Sequence, residues 1–449
     1  MRFVVMTILR VVGVSIFVLF VVYPNGLAQT EQTTPVIINT LTIEQTINDV
    51  IRHNDRLTAA RFMQEAAEKK AASVSGWPDP MLMFGIENAP TNFDLDMDEM
   101  TMRMIGISQT IPYSGQSGLE KRAAQAEAAA ASLDQQRMQV DMVLAARMAY
   151  AEFYYRSAIL KDIAIQYDLL DMVIASAKSK LTTNQGTQAE VLAAQAEQWR
   201  MQTELYEADH MVDESRHMLN IMRGAEVDAV IAAPAPPPII TIPEQPDEWI
   251  TLAYSNTSQL QQLARKSESY AFSSSAARRM NWPMFGVSAS YGFRSGYSTD
   301  HTGLSTERDD MISLQASVSL PIFSRGRNNR MAESMKAMQN STDAEAVLLR
   351  KEIESKVRLM HLMALHLQES VNLYANNIIP ADQDAFQSAL AGYTANRMSF
   401  TELLEYIQTI YKDRRMLSQF SSQFAQVSAE IQSYIESPAR FTPTESAKK

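Results

Sequence analysis

Apolar positions along this chain follow two periods that alternate in blocks. Between residues 115 and 180, Leu133, Val140, Leu144, Met148, Ala151, Tyr155, Ile159, Ile163, Leu170, Ile174 and Ala177 recur at steps of mostly three and four. That spacing keeps them on one helical face. The run opens on the Ala-rich "AAQAEAAAASL", which favours helix and close helix approach, and no Pro or Gly interrupts it between Gly118 and Gly186. Residues 328–390 read the same way apart from Pro380. At the usual rise per residue each helix is about 100 Å long, so it needs helical partners along its length.

Short segments between proline markers alternate instead with period two. In "FGVSASYGF", Phe285, Val287, Ala289, Tyr291 and Phe293 oppose Gly286, Ser288, Ser290 and Gly292. In "MISLQASVSL", Ile312, Leu314, Ala316, Val318 and Leu320 oppose Ser313, Gln315, Ser317 and Ser319. Two more strands are expected at Met81–Glu87 and Met102–Ile111, where the alternation is less clean. The polar face lacks the charges of a water-facing sheet. The pattern therefore points to an apolar face on lipid and a polar face on a lumen, rather than to a half-buried strand of a soluble sheet. Four strands cannot close a barrel, and lipid tolerates no open sheet edge. The barrel must be shared between subunits, in a number these arguments leave open.

A Pro-rich connector, "APAPPPIITIPEQP" at residues 233–246, divides the chain into halves that match in order. The offsets are 256 − 54 = 202 for the Asn pair, 282 − 77 = 205 for the Trp pair, 321 − 112 = 209 for the Pro pair and 396 − 184 = 212 for a second Asn pair. A slowly rising offset is that of a tandem duplication with loop insertions. The expected divisions are an export signal at 1–28, a first repeat at 29–232, the connector at 233–246, a second repeat at 247–436 and a flexible tail at 437–449. The export signal rests on Arg2 and Arg10 before a short apolar core, and on small residues at Gly26 and Ala28 before a cleavage point.

Composition narrows the function. A mean hydropathy of −0.18 with 20% charged residues excludes a polytopic α-helical membrane protein. The net charge of −11 becomes −13 once Arg2 and Arg10 are removed, which argues against nucleic acid as a partner. With no Cys, the chain has no disulfide, thiolate zinc site, cysteine nucleophile or cysteine-borne lipid. No catalytic motif is present, so neither an enzyme nor a cofactor is expected. His210, Glu214 and His217 share a helix face at i, i+4 and i+7, a weak metal candidate against an ordinary polar stripe. The acidic "DLDMDE" at 94–99 starts like a calcium loop but lacks the glycine, and reads better as an acidic rim. Met81, Met83, Met97, Met100, Met102 and Met104 cluster around the first strand pair. Thioethers suit soft ions such as Cu(I), although Met is more often an adaptable apolar filler.

Taken together, the matched halves, the strand pairs between Trp-Pro and Ile/Leu-Pro markers, the long helices and a repeated turn resemble the TolC-like family of outer-membrane efflux proteins. "GWPDPMLMFGIENAP" and "ISQTIPYSGQSGLEKR" look most like its heavy-metal cation efflux branch. The resemblance implies long antiparallel helical hairpins forming an α-barrel tunnel, with four strands per chain of a shared twelve-stranded barrel. It also implies a homotrimer in the outer membrane of a Gram-negative bacterium. There the trimer would act as a passive duct, docked on a periplasmic membrane-fusion adaptor and an inner-membrane pump (RND or ABC type). A polypeptide secretion duct and a pore-free coiled-coil scaffold are the alternative readings.

The repeated turns, "TTNQGTQAEVL" and "TANRMSFTELL", match the periplasmic tips of that family. Asn184 and Asn396 stand where the family has Gly, and Asn is the commonest substitute at positive φ. The resemblance assigns Asn184, Gly186, Asn396 and Arg397 to the tip turns and adaptor contact, and Glu402 and Glu405 to a carboxylate ring at the tunnel gate. Glu190 and Tyr393 match a latch between the turns. Its arginine position holds Met398, with Arg397 beside it.

Overall fold

The computed structural model describes residues 40–441 apart from 75, 92–94, 96–99, 112–114, 295, 300–302 and 304. The export signal, nearly all of the acidic stretch, Met97, the Pro112 marker and residues 442–449 lie outside the described residues. The first half runs α1 (Ile43–His53), α2 (Asp55–Ser73), β1 (Met81–Glu87), β2 (Met102–Ile111), α3 (Gln116–Thr182) and α4 (Gln188–Arg223). The second runs α5 (Asp247–Asn256), α6 (Ser258–Arg279), β3 (Met284–Phe293), β4 (Tyr297–Thr299), β5 (Ser305–Glu307) and β6 (Met311–Ser319). It then continues through α7 (Arg325–Leu373), a π-helical turn (Tyr374–Ile378), α8 (Ile379–Thr394) and α9 (Phe400–Ile435).

The same order of elements thus occurs twice, with two differences. The second long helix is broken where Pro380 lacks an N–H and its ring would strike the preceding turn. The widened π-helical turn just before Pro380 absorbs that mismatch. The loop after β3 adds the small hairpin β4–β5, so six strands occur among the described residues where four were expected. Equivalent Asn residues tie each half together. Asn54 donates to the Met222 carbonyl at 3.2 Å, and Asn256 to the Ile435 carbonyl at 2.6 Å. Each bond satisfies a carbonyl that the end of a return helix would leave orphaned.

The long helices pack in stretches. Near the strands, small side chains such as Ala124 and Ala128 let α3 lie close to Ala71 of α2. Midway, the Tyr150 hydroxyl shares its one proton between the carbonyls of Leu41 and Ala235, binding the start of the Pro-rich connector to α3. The connector also forms a parallel bridge with Leu41 through Pro234. The tail expected from residue 437 is packed as far as Phe441, which is buried against Ile51 and Val143. An apolar ring so close to the end of α9 gains more from burial than the chain loses in freedom. At the far end of α3, Leu170, Val173 and Ile174 join Phe386, Tyr393 and Leu403 in one core between the hairpins.

Strands β1, β2, β3 and β6 form one antiparallel sheet in that order, leaving β1 and β6 as its edges. Register puts Phe84, Ile105, Tyr291 and Ile312 in one cross-strand row, and Leu82, Ile107, Ala289 and Leu314 in the next. This face is mostly apolar across the four strands, with Arg103 and Gln109 of β2 its polar members, and is largely exposed. The opposite face holds Gly106, Ser290 and Ser313 in a row of small groups. Among the described residues, no helix is long and apolar enough to cross a membrane.

Candidate functional site: the paired hairpin tips

Both tips are built alike from the backbone upward. Helix α3 ends with Asn184 at φ 59°, and α8 with Asn396 at φ 57°. In the first tip, Gln185 N donates to the Lys180 carbonyl at 2.8 Å and Asn184 N to the Leu181 carbonyl at 3.1 Å. In the second, Arg397 N donates to the Gly392 carbonyl at 2.8 Å and Asn396 N to the Tyr393 carbonyl at 3.2 Å. This is the Schellman pattern, which needs a left-handed residue just past the helix. Asn supplies it where an alanine would clash. Gly186 is not in the left-handed region, so Asn184 carries the turn without help from it.

Gly186 serves space instead. A Cβ there would lie 3.1 Å from Lys180 Cβ. At the equivalent pair in the second tip the glycine has changed sides, and a Cβ on Gly392 would lie 3.4 Å from Met398 Cβ. Each tip brings these two positions close and keeps one of them bare. The first tip thereby retains a long side chain at Lys180, and the second at Met398.

Lys180 uses that freedom to reach the other hairpin. Only 8% exposed, it donates from Nζ to the Tyr393 carbonyl at 2.6 Å. The same Nζ stands 3.8 Å from the Tyr393 ring centroid. Its charge lies at the carboxyl end of α8, where the helix dipole favours a cation, and over an aromatic face. Tyr393, 1% exposed, donates in turn from Oη to Glu190 Oε2 at 2.7 Å. Desolvation, then the bond to Glu190 and its charge, push the phenol above its ordinary pKa, so it stays a donor.

The two N3 glutamates therefore part company. Glu402 completes a capping box at the start of α9, accepting from Ser399 N and Oγ, each at 2.8 Å. These bonds hold its carboxyl below the usual range. Glu190 occupies the equivalent place after the cap Thr187, but its carboxylate accepts from Tyr393. Glu405 is exposed one turn further along α9. Asn184, Asn396 and Arg397 are exposed at the ends of the turns. Met398, at the position of the expected arginine, is partly buried in the apolar core, so no cation stands there.

Further along α3, polar contacts join the hairpins again. Arg414 pairs with Asp162 at 3.0 Å, and Tyr411 bonds Glu204, whose carboxyl is raised above its usual range chiefly by desolvation. The weak metal candidates are not brought together. His210 and Glu214 are exposed on α4, while His217 stands 3.4 Å from Asp228. Positions seven apart on a helix are about 10 Å apart along the axis, and no neighbouring element completes a site. Among the described residues no His, Asp or Glu cluster is placed to hold a metal.

Lys180 and Gly392 are tip residues that the sequence reading missed. One signal was available. Lys180 follows Leu170, Ile174 and Ala177 at the next stripe position, where a charge is out of place unless it is paired.

No family model and no curated sequence matches the chain. Solved structures do. The outer-membrane channel OprN matches with a TM-score of 0.71 at 15% identity, over 88% of this chain and 89% of that one. The outer membrane protein VceC of Vibrio cholerae matches at 0.70 with 15% identity, over 88% and 96%. CusC, described through its transmembrane channel formation, matches at 0.71 with 13% identity, over 88% and 92%. The chain has the fold of TolC-like outer-membrane channels: long helical hairpins of the tunnel type joined to a four-stranded antiparallel sheet. The three match almost equally well, so the likeness selects no cargo.

Proposed function

We propose that this chain is one subunit of a trimeric outer-membrane duct in a tripartite efflux system, through which cargo passes without chemistry. The sheet carries this reading. Its exposed face is mostly apolar across four strands, and its edge strands β1 and β6 present unpaired backbone that lipid would not tolerate. Pairing β1 of one copy with β6 of the next satisfies both edges, and three copies close a twelve-stranded barrel with the small polar face inward. The likeness to OprN, VceC and CusC supports the same assembly. At the other end the tips, with exposed Asn184, Asn396 and Arg397, are the docking surface for a periplasmic adaptor and, through it, an inner-membrane pump. Membrane fractionation with single-channel recording in planar bilayers tests the reading. A trimer in the outer-membrane fraction that conducts is expected; a soluble monomer with no conductance would defeat it.

The mouth in this reading is held shut by the chain Lys180–Tyr393–Glu190. The latch cation comes from the first hairpin rather than from the second, where Met398 stands. Glu402 and Glu405, repeated three times around one axis, attract cations to the mouth. Glu405 is the freer of the two, because Glu402 is bonded to Ser399. The variant E402A/E405A is expected to weaken block by divalent cations, and unchanged block would count against the carboxylate ring.

A further inference from the structure

The polar face of the sheet carries one apolar residue type. Register places Met81, Met83, Met102, Met104, Met284 and Met311 all on that face. The opposite face of the same four strands has Leu, Ile, Val, Phe, Ala and Tyr, with Arg103 and Gln109 on β2, but no Met. If Met served here as an adaptable filler, it would stand on the apolar face, where side chains meet lipid or one another. If the inner face merely needed greasiness, Leu, Ile, Val or Phe would share it with Met, and none does. What distinguishes Met from those residues is its sulfur.

Glycines leave room for two of these sulfurs to lean toward a neighbouring strand. Met104 lies opposite Gly85, and its Sδ is 3.7 Å from where a Cβ on Gly85 would stand, beside Met83 on the same face of β1. Met102, 8% exposed, places its Sδ in the space a Cβ on Gly292 would need. Gly292 pairs directly with Met311. Glu87 lies opposite Met102 and adds a negative charge at the same end of the sheet.

We propose that Met83 with Met104, and Met102 with Met311, form two thioether pairs per subunit that bind soft monovalent cations, Cu(I) or Ag(I), inside the barrel. Neutral thioethers favour such polarizable ions over zinc or calcium. Two weak ligands hold an ion loosely enough to release it, which a route of passage requires. The proposal rests on the duct reading for the inward placement of this face, and it names the cargo class that reading leaves open.

The test uses Ag(I) itself with the full-length trimer in nanodiscs, by equilibrium dialysis in chloride-free buffer, with Zn(II) as the comparison. M83L/M102L/M104L/M311L keeps side-chain volume and removes sulfur. It is expected to lose about two Ag(I) per chain, with Zn(II) uptake and potassium conductance unchanged. The control M63L/M172L/M331L/M338L removes as many exposed but dispersed sulfurs from helices and is expected to retain those sites. M83L/M104L and M102L/M311L, each expected to lose about one Ag(I), decide the matter should the quadruple variant fail to assemble. Equal Ag(I) uptake by wild type and the strand variants overturns the proposal and leaves a conducting duct intact. Sulfur-dependent uptake by a protein that does not conduct keeps the binding site and removes the duct.

Discussion

Tyr393→Phe deletes one oxygen and is expected to open the mouth. The lost bond runs from a side chain that is 1% exposed to a carboxylate that is partly exposed, so solvent screens it in part. Hydrogen bonds to charged groups contribute about 1.5–3 kcal/mol. Glu190 then regains the capping role that Glu402 plays in the second tip, which offsets part of the loss and favours the lower figure. About 1.5 kcal/mol is roughly tenfold in the closed-to-open ratio per subunit, and about a thousandfold for three subunits that open as one. Lys180→Met acts in the same direction and less strongly, because losing the ammonium also removes the cost of burying it. Single-channel recording reads both as raised open probability. A double-mutant cycle of Y393F with E190Q separates the bond from general loosening, since residues that act through one bond do not add. Unchanged open probability in Y393F and K180M, in a wild type that conducts, would refute the latch; additive effects in the cycle would refute the bond as its cause.

Other consequences follow from the tips. Gly186→Ala forces a Cβ to 3.1 Å from Lys180 Cβ and 3.3 Å from Leu181 N, and is expected to lower stability by about 1–3 kcal/mol in thermal unfolding. Gly392→Ala meets Met398 Cβ at an ordinary 3.4 Å and gains helix propensity, so it should be neutral or stabilising by about 0.5–1 kcal/mol. Asn184→Ala and Asn396→Ala should each cost about 1–2 kcal/mol at their positive φ, while Asn→Gly at either site should not; equal unfolding temperatures for the Ala and Gly variants would contradict this. Glu402 has its carboxyl lowered by Ser399. Its capping contribution is present above the ordinary glutamate pKa and is lost as pH falls through the lowered folded value. Hydrogen exchange at residues 399–403, corrected for intrinsic rates, should show fraying at low pH that E402A shows already at neutral pH.

Much of the fold was legible because its signals are local. The strand limits at Met81–Glu87 and Met102–Ile111 follow from turn residues and alternation, and α3 from a stripe without Pro or Gly. The first strand pair looked irregular largely because Met was counted with apolar residues. Once register assigns Met83 and Met104 to the polar face, Leu82, Phe84, Ile86, Ile105 and Ile107 fall on one side, with Arg103 and Gln109 the exceptions in β2. The hairpin β4–β5 was missed because three-residue strands are too short to display a period. Glu190 and Tyr393 were found through resemblance. Lys180 was missed because its role depends on a residue 213 positions away.

The amino-acid order alone determined which stretches coil and which extend, where the chain turns, and that Asn184 and Asn396 must take a left-handed backbone. Those outcomes depend on neighbours within a turn or two. Only the tertiary structure decided that Glu402 caps its helix while Glu190 crosses to Tyr393, and that the Lys180 ammonium reaches Tyr393 from the other hairpin. It alone gathered the strand methionines on one face, with Met104 leaning over Gly85 and Met102 over Gly292. These are distances between segments far apart in the chain, set by how helices pack and strands register.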